Sequence, residues 1–329
     1  MKKILKITGI ILLAILVSIF CIGMYVKNKK PDVGLAENLS VIKTTERIEH
    51  GKYLANNVAA CLACHSQRDN SVYAAPLLKE SLGQGGEKFG REDGFPGEIF
   101  AKNITPFSLG SWTDGEILRA ITTGVSKDGS ALFPLMPYLN YGKIDKEDIM
   151  DIIAYLRTLP SVKSDVPTRD LDFPVNFLLN TMPAKAHLTV KPDTNNSVAH
   201  GEYLVKIASC MTCHSKEEKG NLVAGTEYGG GREFNQPNGI ARSANLTPDM
   251  ETGIGSWDKV HFISRFKLYT DPGFKPVKLN AEDINTPMPW LMFTNMKDKD
   301  LGAIYDYLRT VKPISNKVVK FQKKSIVKL

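Results

Sequence analysis

Cysteine is scarce in this chain and is concentrated in two short runs. Four of the five cysteines lie in Cys61-Leu62-Ala63-Cys64-His65 and Cys210-Met211-Thr212-Cys213-His214, and the fifth, Cys21, lies in an apolar N-terminal segment. No thiol therefore remains for a structural disulfide. The composition is that of an ordinary globular protein, 43% hydrophobic and 23% charged, so each half of the 329 residues can form a core.

The middle of the chain lacks an excess of basic residues. The net charge is +7, but residues 1–30 and 317–329 together hold eleven Lys and no acid. Residues 31–316 carry 31 bases against 35 acids, which is not the profile of a nucleic-acid-binding protein. We expect no nucleic-acid partner. The basic tail, residues 317–329, is expected to contact anionic headgroups or a partner, or to be a solvated terminus.

Alternating strand patterns are nearly absent, whereas helical signals recur. The segments 149–156 and 301–308 have apolar residues at the i, i+3, i+4, i+7 spacing of a half-buried helix. Thr113 with Glu116 forms a capping box, and Asp258 is the equivalent N-cap later in the chain. The glycine-rich runs "GQGGEKFG" and "YGGGREF" follow no apolar strand and precede no Gly-Lys-Ser/Thr, so they are not phosphate loops. The predicted fold class is all-α.

Charge is absent from the 20-residue run Ile7–Val26, which has lysines on both sides. As a helix at about 1.5 Å per residue, it spans the roughly 30 Å hydrocarbon core of a bilayer. The apolar region of a cleaved signal peptide is usually shorter, about 7–15 residues, and is followed by a small-x-small site that "MYVKNKK" does not provide. Residues 1–30 are therefore predicted to be an uncleaved membrane anchor.

The chain contains an internal duplication. Four blocks recur in the same order at offsets of 142 to 152 residues, and they begin at His50 and His200, Asn103 and Asn245, Leu135 and Pro287, and Glu147 and Lys299. Such a repeat predicts two copies of one structural unit. Unit one runs from 47 to 160 and unit two from 197 to 316. A proline-containing connector, residues 161–196, joins them.

Three chemistries compete for the Cys-x-x-Cys-His runs. A thioredoxin-like dithiol needs a βαβ context, which is missing, and a zinc site usually takes its second ligand pair from a separate cluster. The pentapeptide is the signature of c-type haem attachment. Two thiols about one turn apart can form thioethers to one haem edge, and the next residue becomes the proximal imidazole. The sequence thus predicts two covalently bound haem c groups, held by Cys61, Cys64, Cys210 and Cys213 with His65 and His214 as iron ligands.

The repeated blocks "HGxYL…CxxCH", "N[IL]TP…GSW", "MP[YW]" and "YLRT" resemble class I dihaem cytochromes c. In particular, they resemble the cytochrome c subunits that accept electrons for periplasmic alcohol and gluconate dehydrogenases. The resemblance covers roughly residues 47–316. It implies two tandem class I cytochrome c domains, here following the predicted N-terminal transmembrane helix.

The resemblance also implies a role for the repeated Met-Pro element. In this family a methionine from a loop after the haem-binding helix ligates the iron opposite the histidine, and the matching positions are Met136 and Met288. Met292 and Met296 have no counterpart in unit one. Trp112 and Trp257, and Arg91 and Arg232 of the repeated "GRE", are candidate donors to haem propionates.

Met/His ligation at both irons leaves no open position for a substrate and favours electron transfer over catalysis. The expected protein is a carrier in the inner membrane, with its haem domains on the periplasmic side, where this family acquires haem. The donor is an extracytoplasmic dehydrogenase or another reductant, and the acceptor is an oxidase or a soluble cytochrome or cupredoxin. The alternative is a dihaem enzyme, such as a peroxidase or a thiosulfate-oxidising protein, with one open or displaceable axial position.

Overall fold

The computed structural model describes residues 1–324 and is mainly helical, as predicted. The α-helices are α1 Lys2–Asn28, α2 Thr45–Tyr53, α3 Cys61–His65, α4 Pro106–Leu109, α5 Asp114–Thr123, α6 Tyr138–Tyr141, α7 Lys146–Leu156, α8 Val175–Leu178, α9 Ser197–Ile207, α10 Cys210–Cys213, α11 Lys259–Lys267, α12 Trp290–Phe293 and α13 Asp298–Leu308. One π-helical turn spans Leu54–Val58, and 3₁₀ turns span Lys79–Ser81, Arg91–Asp93, Leu179–Thr181 and Leu268–Thr270.

Short antiparallel strands of two to four residues supplement the helices. They are β1 Lys88–Phe89, β2 Gly97–Phe100, β3 Asp170–Leu171, β4 Glu217–Glu218, β5 Asn221–Leu222, β6 Glu233–Gln236, β7 Gly239–Arg242 and β8 Phe321–Lys323. The sheet orders are β1-β2-β3, β4-β5 and β6-β7-β8. Strand β8 belongs to the basic tail, so the tail is not simply a solvated terminus: it pairs with β7 from 321 to 323. Residues 325–329 of the predicted tail lie outside the described residues.

Helix α1 carries the uncharged N-terminal run. Its mean hydropathy reaches 2.7 and none of its residues is buried. By length and composition it can cross a membrane, a property that anchors and signal sequences share. Its C-terminal end contacts α8 and the 3₁₀ turn Leu179–Thr181 of the connector.

The first and last helices of each unit cross at a glycine. A Cβ on Gly51 of α2 would lie 1.8 Å from the Asp151 carbonyl oxygen of α7, and one on Gly201 of α9 would lie 1.9 Å from the Ala303 oxygen of α13. The backbones approach too closely for any side chain at either glycine. The repeated "HG" dipeptide therefore specifies the helix crossing that closes the core of each unit.

The repeated Asn-x-Thr-Pro motif joins two distant parts of each unit. It links the loop before α5 to the chain after α7 in unit one, and the loop before α11 to the chain after α13 in unit two. Asn103 Oδ1 accepts from the Thr105 amide at 2.8 Å, and Asn103 Nδ2 donates to the Val162 carbonyl at 2.8 Å. Asn245 repeats this arrangement at 2.9 Å and 2.7 Å. The motif is thus a structural tie in both units.

The two units meet through hydrogen bonds that are exchanged reciprocally. The Tyr53 hydroxyl of unit one donates to Asp300 Oδ2 of unit two at 2.5 Å and accepts from the Lys297 amide at 3.1 Å. The Tyr203 hydroxyl of unit two donates to Asp148 Oδ2 of unit one at 2.6 Å and accepts from the Asp145 amide at 3.1 Å. Since equivalent residues of the two units form both sets of hydrogen bonds, the units are related by a pseudo-twofold arrangement.

Candidate haem sites

Both Cys-x-x-Cys-His runs open onto one continuous cavity of about 2910 Å³. This volume is well above the roughly 300–1,000 Å³ of a site for one small molecule. Its wall contains most of the residues singled out by the sequence, namely Cys61, Cys64, His65, Trp112, Met136, Cys210, Cys213, His214, Arg232, Trp257 and Met288. The fold therefore gathers the two repeated residue sets around a shared interior space.

A left-handed residue precedes the first cysteine of each run. Ala60 has φ 51° and Ser209 has φ 55°, a backbone conformation that residues other than glycine seldom adopt. Each such residue separates the preceding helix from the short cysteine helix, α3 or α10, and turns the latter toward the cavity. Local strain of this kind is typical of functional sites.

The cysteines do not have the properties of a redox-active dithiol. Burial raises the pKa of Cys61 to about 12 and that of Cys210 to about 12. Reactive cysteine pairs instead have lowered pKa values, because the thiolate is the nucleophile. None of the five cysteines is in a disulfide. The structure thus argues against the thioredoxin-like interpretation on electrostatic grounds as well as by fold.

The histidine of each run is oriented by a backbone carbonyl. His65 Nδ1 lies 2.6 Å from the Lys102 oxygen, and His214 Nδ1 lies 2.8 Å from the Ala244 oxygen. A proton on Nδ1 that donates to this carbonyl leaves Nε2 with a free lone pair, the tautomer that metal-ligating histidines use. Burial lowers the pKa of both imidazoles, which favours the neutral form.

The other repeated histidines bind carboxylates and lie outside the cavity wall. His50 Nδ1 is 2.8 Å from Asp151 Oδ2, and His200 Nε2 is 2.7 Å from Asp300 Oδ1. Each partner lies on the last helix of the same unit, so these histidines help to hold the helix crossing. His50 also converges with Asp148 and Asp151 in an arrangement that resembles a metal site. Those carboxylates already bind other cations, Lys191 at 2.9 Å and Arg47 at 2.8 Å, so the cluster is an internal ion-pair network.

Met136 and Met288 occupy equivalent turns on the cavity wall. Each is followed by a proline of nearly the same conformation, Pro137 with φ −80° and ψ 50° and Pro289 with φ −78° and ψ 60°. Met292 lines a separate small void, whereas Met296 lies in the core and at the cavity wall. The turn geometry therefore repeats only at the two predicted methionines.

Trp112 and Trp257 also face the cavity, on loops held by the arginine of the "YLRT" motif. Arg157 Nη1 donates to the Leu109 carbonyl at 2.6 Å, and Arg309 Nη1 donates to the Gly255 carbonyl at 2.7 Å. Within residues 1–324, neither indole N–H has a protein acceptor at hydrogen-bonding distance. Both remain candidate donors to a bound group.

The pairing of Arg91 with Arg232 is corrected by the structure. Arg91 is on the surface, bound to Asp172 at 2.6 Å and to Glu98 at 3.1 Å, and is not part of the cavity wall. The two "GRE" sequences are not at equivalent positions in the structure. The glycines that are equivalent are Gly85 and Gly230, because their amides donate to the backbone carbonyl oxygens of His65 and His214.

With Gly85 equivalent to Gly230, Glu87 is the counterpart of Arg232. Counting from the equivalent histidines, Arg68 is the counterpart of Glu217. Arg68 binds Glu87 at 3.3 Å, and Arg232 binds Glu217 and donates to the Thr212 carbonyl at 2.7 Å. The same two positions thus carry an ion pair of opposite polarity in the two units. All four residues line the cavity, and sequence reasoning missed this pair because the charges are exchanged between the repeats.

The residues fit a covalently attached tetrapyrrole in each unit. Two cysteines, an imidazole with a free Nε2 and a thioether face one cavity at equivalent positions of the repeat. This donor set is that of c-type haem with Met/His ligation. The chain is therefore a mainly helical protein in which two equivalent sets of candidate haem ligands line one cavity.

Comparison with known proteins agrees with this class. The chain is 28% identical over 277 residues to the fructose dehydrogenase cytochrome subunit of Gluconobacter japonicus, covering 80% of the chain and 52% of that relative. It is 26% identical over 288 residues to the cytochrome c subunit of the quinone alcohol dehydrogenase of Gluconacetobacter polyoxogenes, covering 81% and 56%. It is 28% identical over 198 residues to a diheme cytochrome c-type protein of Cereibacter sphaeroides, covering 57% and 63%.

These similarities confirm the resemblance to the cytochrome c subunits of dehydrogenases. The chain spans about half the length of the first two relatives. No family model matches the chain.

Proposed function

We propose that the chain is a membrane-anchored dihaem c-type cytochrome that carries electrons from an extracytoplasmic dehydrogenase or other donor to a respiratory acceptor. The observation that carries this proposal is the duplicated histidine geometry. Two Cys-x-x-Cys-His imidazoles have Nδ1 held by a carbonyl, and both face one cavity. The dehydrogenase subunits among the relatives support the class of donor.

Each unit supplies a complete set of binding groups. Cys61 and Cys64, or Cys210 and Cys213, would hold the haem through thioethers, and His65 or His214 would ligate its iron through Nε2. Met136 and Met288 would each supply a second protein ligand, and Trp112 and Trp257 would donate to the propionates. Haem supplies one-electron chemistry when bound, and a Met thioether raises its potential.

The architecture proposed is two tandem class I cytochrome c domains, residues 47–160 and 197–316. Two observations support electron exchange within the chain. Both sites share one cavity, and the reciprocal Tyr53 and Tyr203 contacts fix the units relative to each other. Because both units present a methionine on an equivalent turn, each iron would have two protein ligands and no open position for substrate, which favours a carrier over a peroxidase.

The location proposed is the inner membrane, with the units on the periplasmic side. Helix α1 is the anchor, and the acceptor is an oxidase or a soluble cytochrome or cupredoxin. The basis for the anchor is the length and hydropathy of α1, together with its packing against the connector.

Haem stoichiometry tests the proposal. Denatured protein is expected to keep a mass increase of two haem groups, and Cys61→Ser with Cys64→Ser is expected to leave one. Cys210→Ser with Cys213→Ser is the matched variant, and Cys21→Ser is the control that leaves both. Extraction of all haem from the parent protein by acid acetone would contradict thioether attachment.

A further inference from the structure

The C-terminal end of α1 is held against one segment of the connector, residues 173–182, which we term the connector turn. Phe177 Cε1 lies 3.7 Å from where a Cβ on Gly23 would stand, so the ring packs on bare helix backbone. The Lys27 ammonium lies 5.0 Å from the centre of the same ring, and Asn180 Nδ2 donates to the Lys27 carbonyl at 2.7 Å. The turn is therefore fixed to the helix by both apolar and polar contacts.

The position of Gly23 gives the depth of this contact. Gly23 lies within the uncharged run Ile7–Val26, three residues before its end. At about 1.5 Å per residue, it is about 4–5 Å inside the apolar span. Because Phe177 touches Gly23, its ring is at the same level. Interfacial protein segments bury their apolar face about 5–10 Å into the boundary between headgroups and acyl chains.

A second aromatic ring extends this contact outward. Phe173 is 78% exposed and packs edge-to-face on Phe177, with ring centres 5.8 Å apart. The adjacent carboxylate, Asp172, is neutralised by Arg91 at 2.6 Å, which lowers the cost of placing it near lipid. The exposed Lys27, at the same end of α1, is placed to reach headgroups.

The other side of the connector turn packs on unit one and forms part of the cavity wall beside that unit's candidate haem site, which we term site one. Val175, Leu178 and Met182 line the cavity, whereas Phe173 and Phe177 do not. Lys30 Nζ also donates to the Asp128 carbonyl of unit one at 2.6 Å. The polar contacts at the end of α1 are therefore made with the connector and with unit one.

We infer that the connector turn inserts the Phe173–Phe177 pair into the lipid interface beside α1, so that unit one faces the bilayer and site one is the membrane-proximal site. The partner surface is the boundary between headgroups and acyl chains of a bilayer. This inference rests on the proposed function only in requiring that α1 remains in the mature protein.

Photocrosslinking of the full-length haem-loaded protein tests the inference. p-Benzoylphenylalanine is incorporated at position 173, at position 20 of α1 as the lipid-facing control, and at the 74% exposed position 260 of α11 as the control in unit two. The proteins are reconstituted in vesicles of phosphatidylethanolamine and phosphatidylglycerol, irradiated and analysed by mass spectrometry. The visible spectrum checks that each variant has folded.

Lipid adducts at positions 20 and 173, with at least about tenfold fewer at 260, are the expected result. Adducts at position 20 alone would overturn the inference and leave the anchored carrier intact. Equal yields at 173 and 260 would show non-specific adsorption and would also overturn it. Mature protein that lacks residues 1–26 would overturn both the inference and the anchor. As a second variant, Phe177→Ala is expected to reduce the yield at 173 several-fold, because it removes the ring that positions Phe173.

Discussion

Unit one and unit two hold their cysteines, their iron-ligand histidines and their cavity methionines in the same way but differ where each unit contacts the other. His50 and Cys61 are 11 residues apart, whereas His200 and Cys210 are 10 apart. Unit one accommodates the extra residue in the π-helical turn Leu54–Val58, in which the Ala59 amide donates to the Leu54 carbonyl at 2.7 Å. A single inserted residue commonly produces such a π-bulge, and here the bulge packs against α12 of unit two.

Unit two differs by a longer loop before its methionine. Trp112 and Met136 are 24 residues apart, but Trp257 and Met288 are 31 apart. The longer loop reaches unit one, where the Tyr73 amide donates to the Val277 carbonyl at 2.9 Å and the Leu279 amide donates to the Ser71 carbonyl at 2.8 Å. Chain length thus varies at contacts between the units, while the turns that present the cysteines, histidines and methionines are kept.

The largest expected effect tests whether the helix crossing is equivalent in both units. Gly51→Ala and Gly201→Ala are each expected to lower the free energy of unfolding by about 3 kcal/mol or more, because the new Cβ overlaps a backbone carbonyl. Gly302→Ala is the control. Its Cβ would meet the flexible Lys259 side chain at 3.4 Å and the Ile263 Cδ1 atom at an ordinary contact distance of 3.8 Å, so the variant is expected to be neutral or to stabilise by up to about 1 kcal/mol. Denaturant unfolding monitored by circular dichroism measures all three.

The exchanged ion pair provides the next test. Arg68→Glu places two carboxylates side by side at the cavity wall and is expected to lower the free energy of unfolding by about 1–3 kcal/mol. Adding Glu87→Arg gives the ion pair of unit one the same polarity as that of unit two and is expected to restore most of the lost unfolding free energy. Equal stability of the single and double variants would show that the pairs are not equivalent. Glu217→Arg with Arg232→Glu is the matched exchange in unit two.

Removal of the reciprocal tyrosine hydroxyls should produce smaller and similar losses. Tyr53→Phe leaves Asp300 Oδ2 and the Lys297 amide without their partner, and Tyr203→Phe does the same at Asp148 and Asp145. Each is expected to lower the free energy of unfolding by about 1–2 kcal/mol. A loss confined to one variant would contradict the pseudo-twofold interface.

The smallest expected effect is a change with pH in the unfolding free energy that Tyr53→Phe removes. Burial acts to raise the pKa of Asp300, but hydrogen bonds from His200 and Tyr53 outweigh it and hold the pKa below its ordinary value. The stabilisation is present above the unfolded carboxyl pKa of about 3.9 and is lost as the pH falls through the lower folded pKa. The difference between parent and Tyr53→Phe should therefore shrink between pH 5 and pH 2.5. Tyr305→Phe, whose hydroxyl donates to the Trp257 carbonyl at 2.7 Å, should show a difference that does not change with pH.

Local signals predicted much of the fold. The capping box of Thr113 and Glu116 and the N-cap Asp258 are present, because side-chain caps depend on residues within one helical turn. The cavity-facing cysteines and histidines were found because the Cys-x-x-Cys-His run recurs in both repeats. The methionines were singled out by the resemblance to class I cytochromes c, which the repeat of the Met-Pro element supported.

Long-range features were not predictable in the same way. Arg91 lies on the surface because the matching letters "GRE" do not share a structural position. The position equivalent to Arg232 is Glu87, whose ion pair with Arg68 has the opposite polarity to the Arg232–Glu217 pair. The Tyr53–Asp300 contact joins residues 247 positions apart. Neither repeat block taken alone contains the information that its tyrosine binds the aspartate of the other.

Methionine ligation of both irons can be measured by the near-infrared absorption of the oxidised protein. We expect a low-spin spectrum whose sulfur-to-iron charge-transfer band accounts for two haems. Met136→Ala and Met288→Ala should each remove about half of the band and lower the potential of one haem. A parent protein that is half high-spin, or a band that survives Met288→Ala but changes with Met292→Ala, would contradict it.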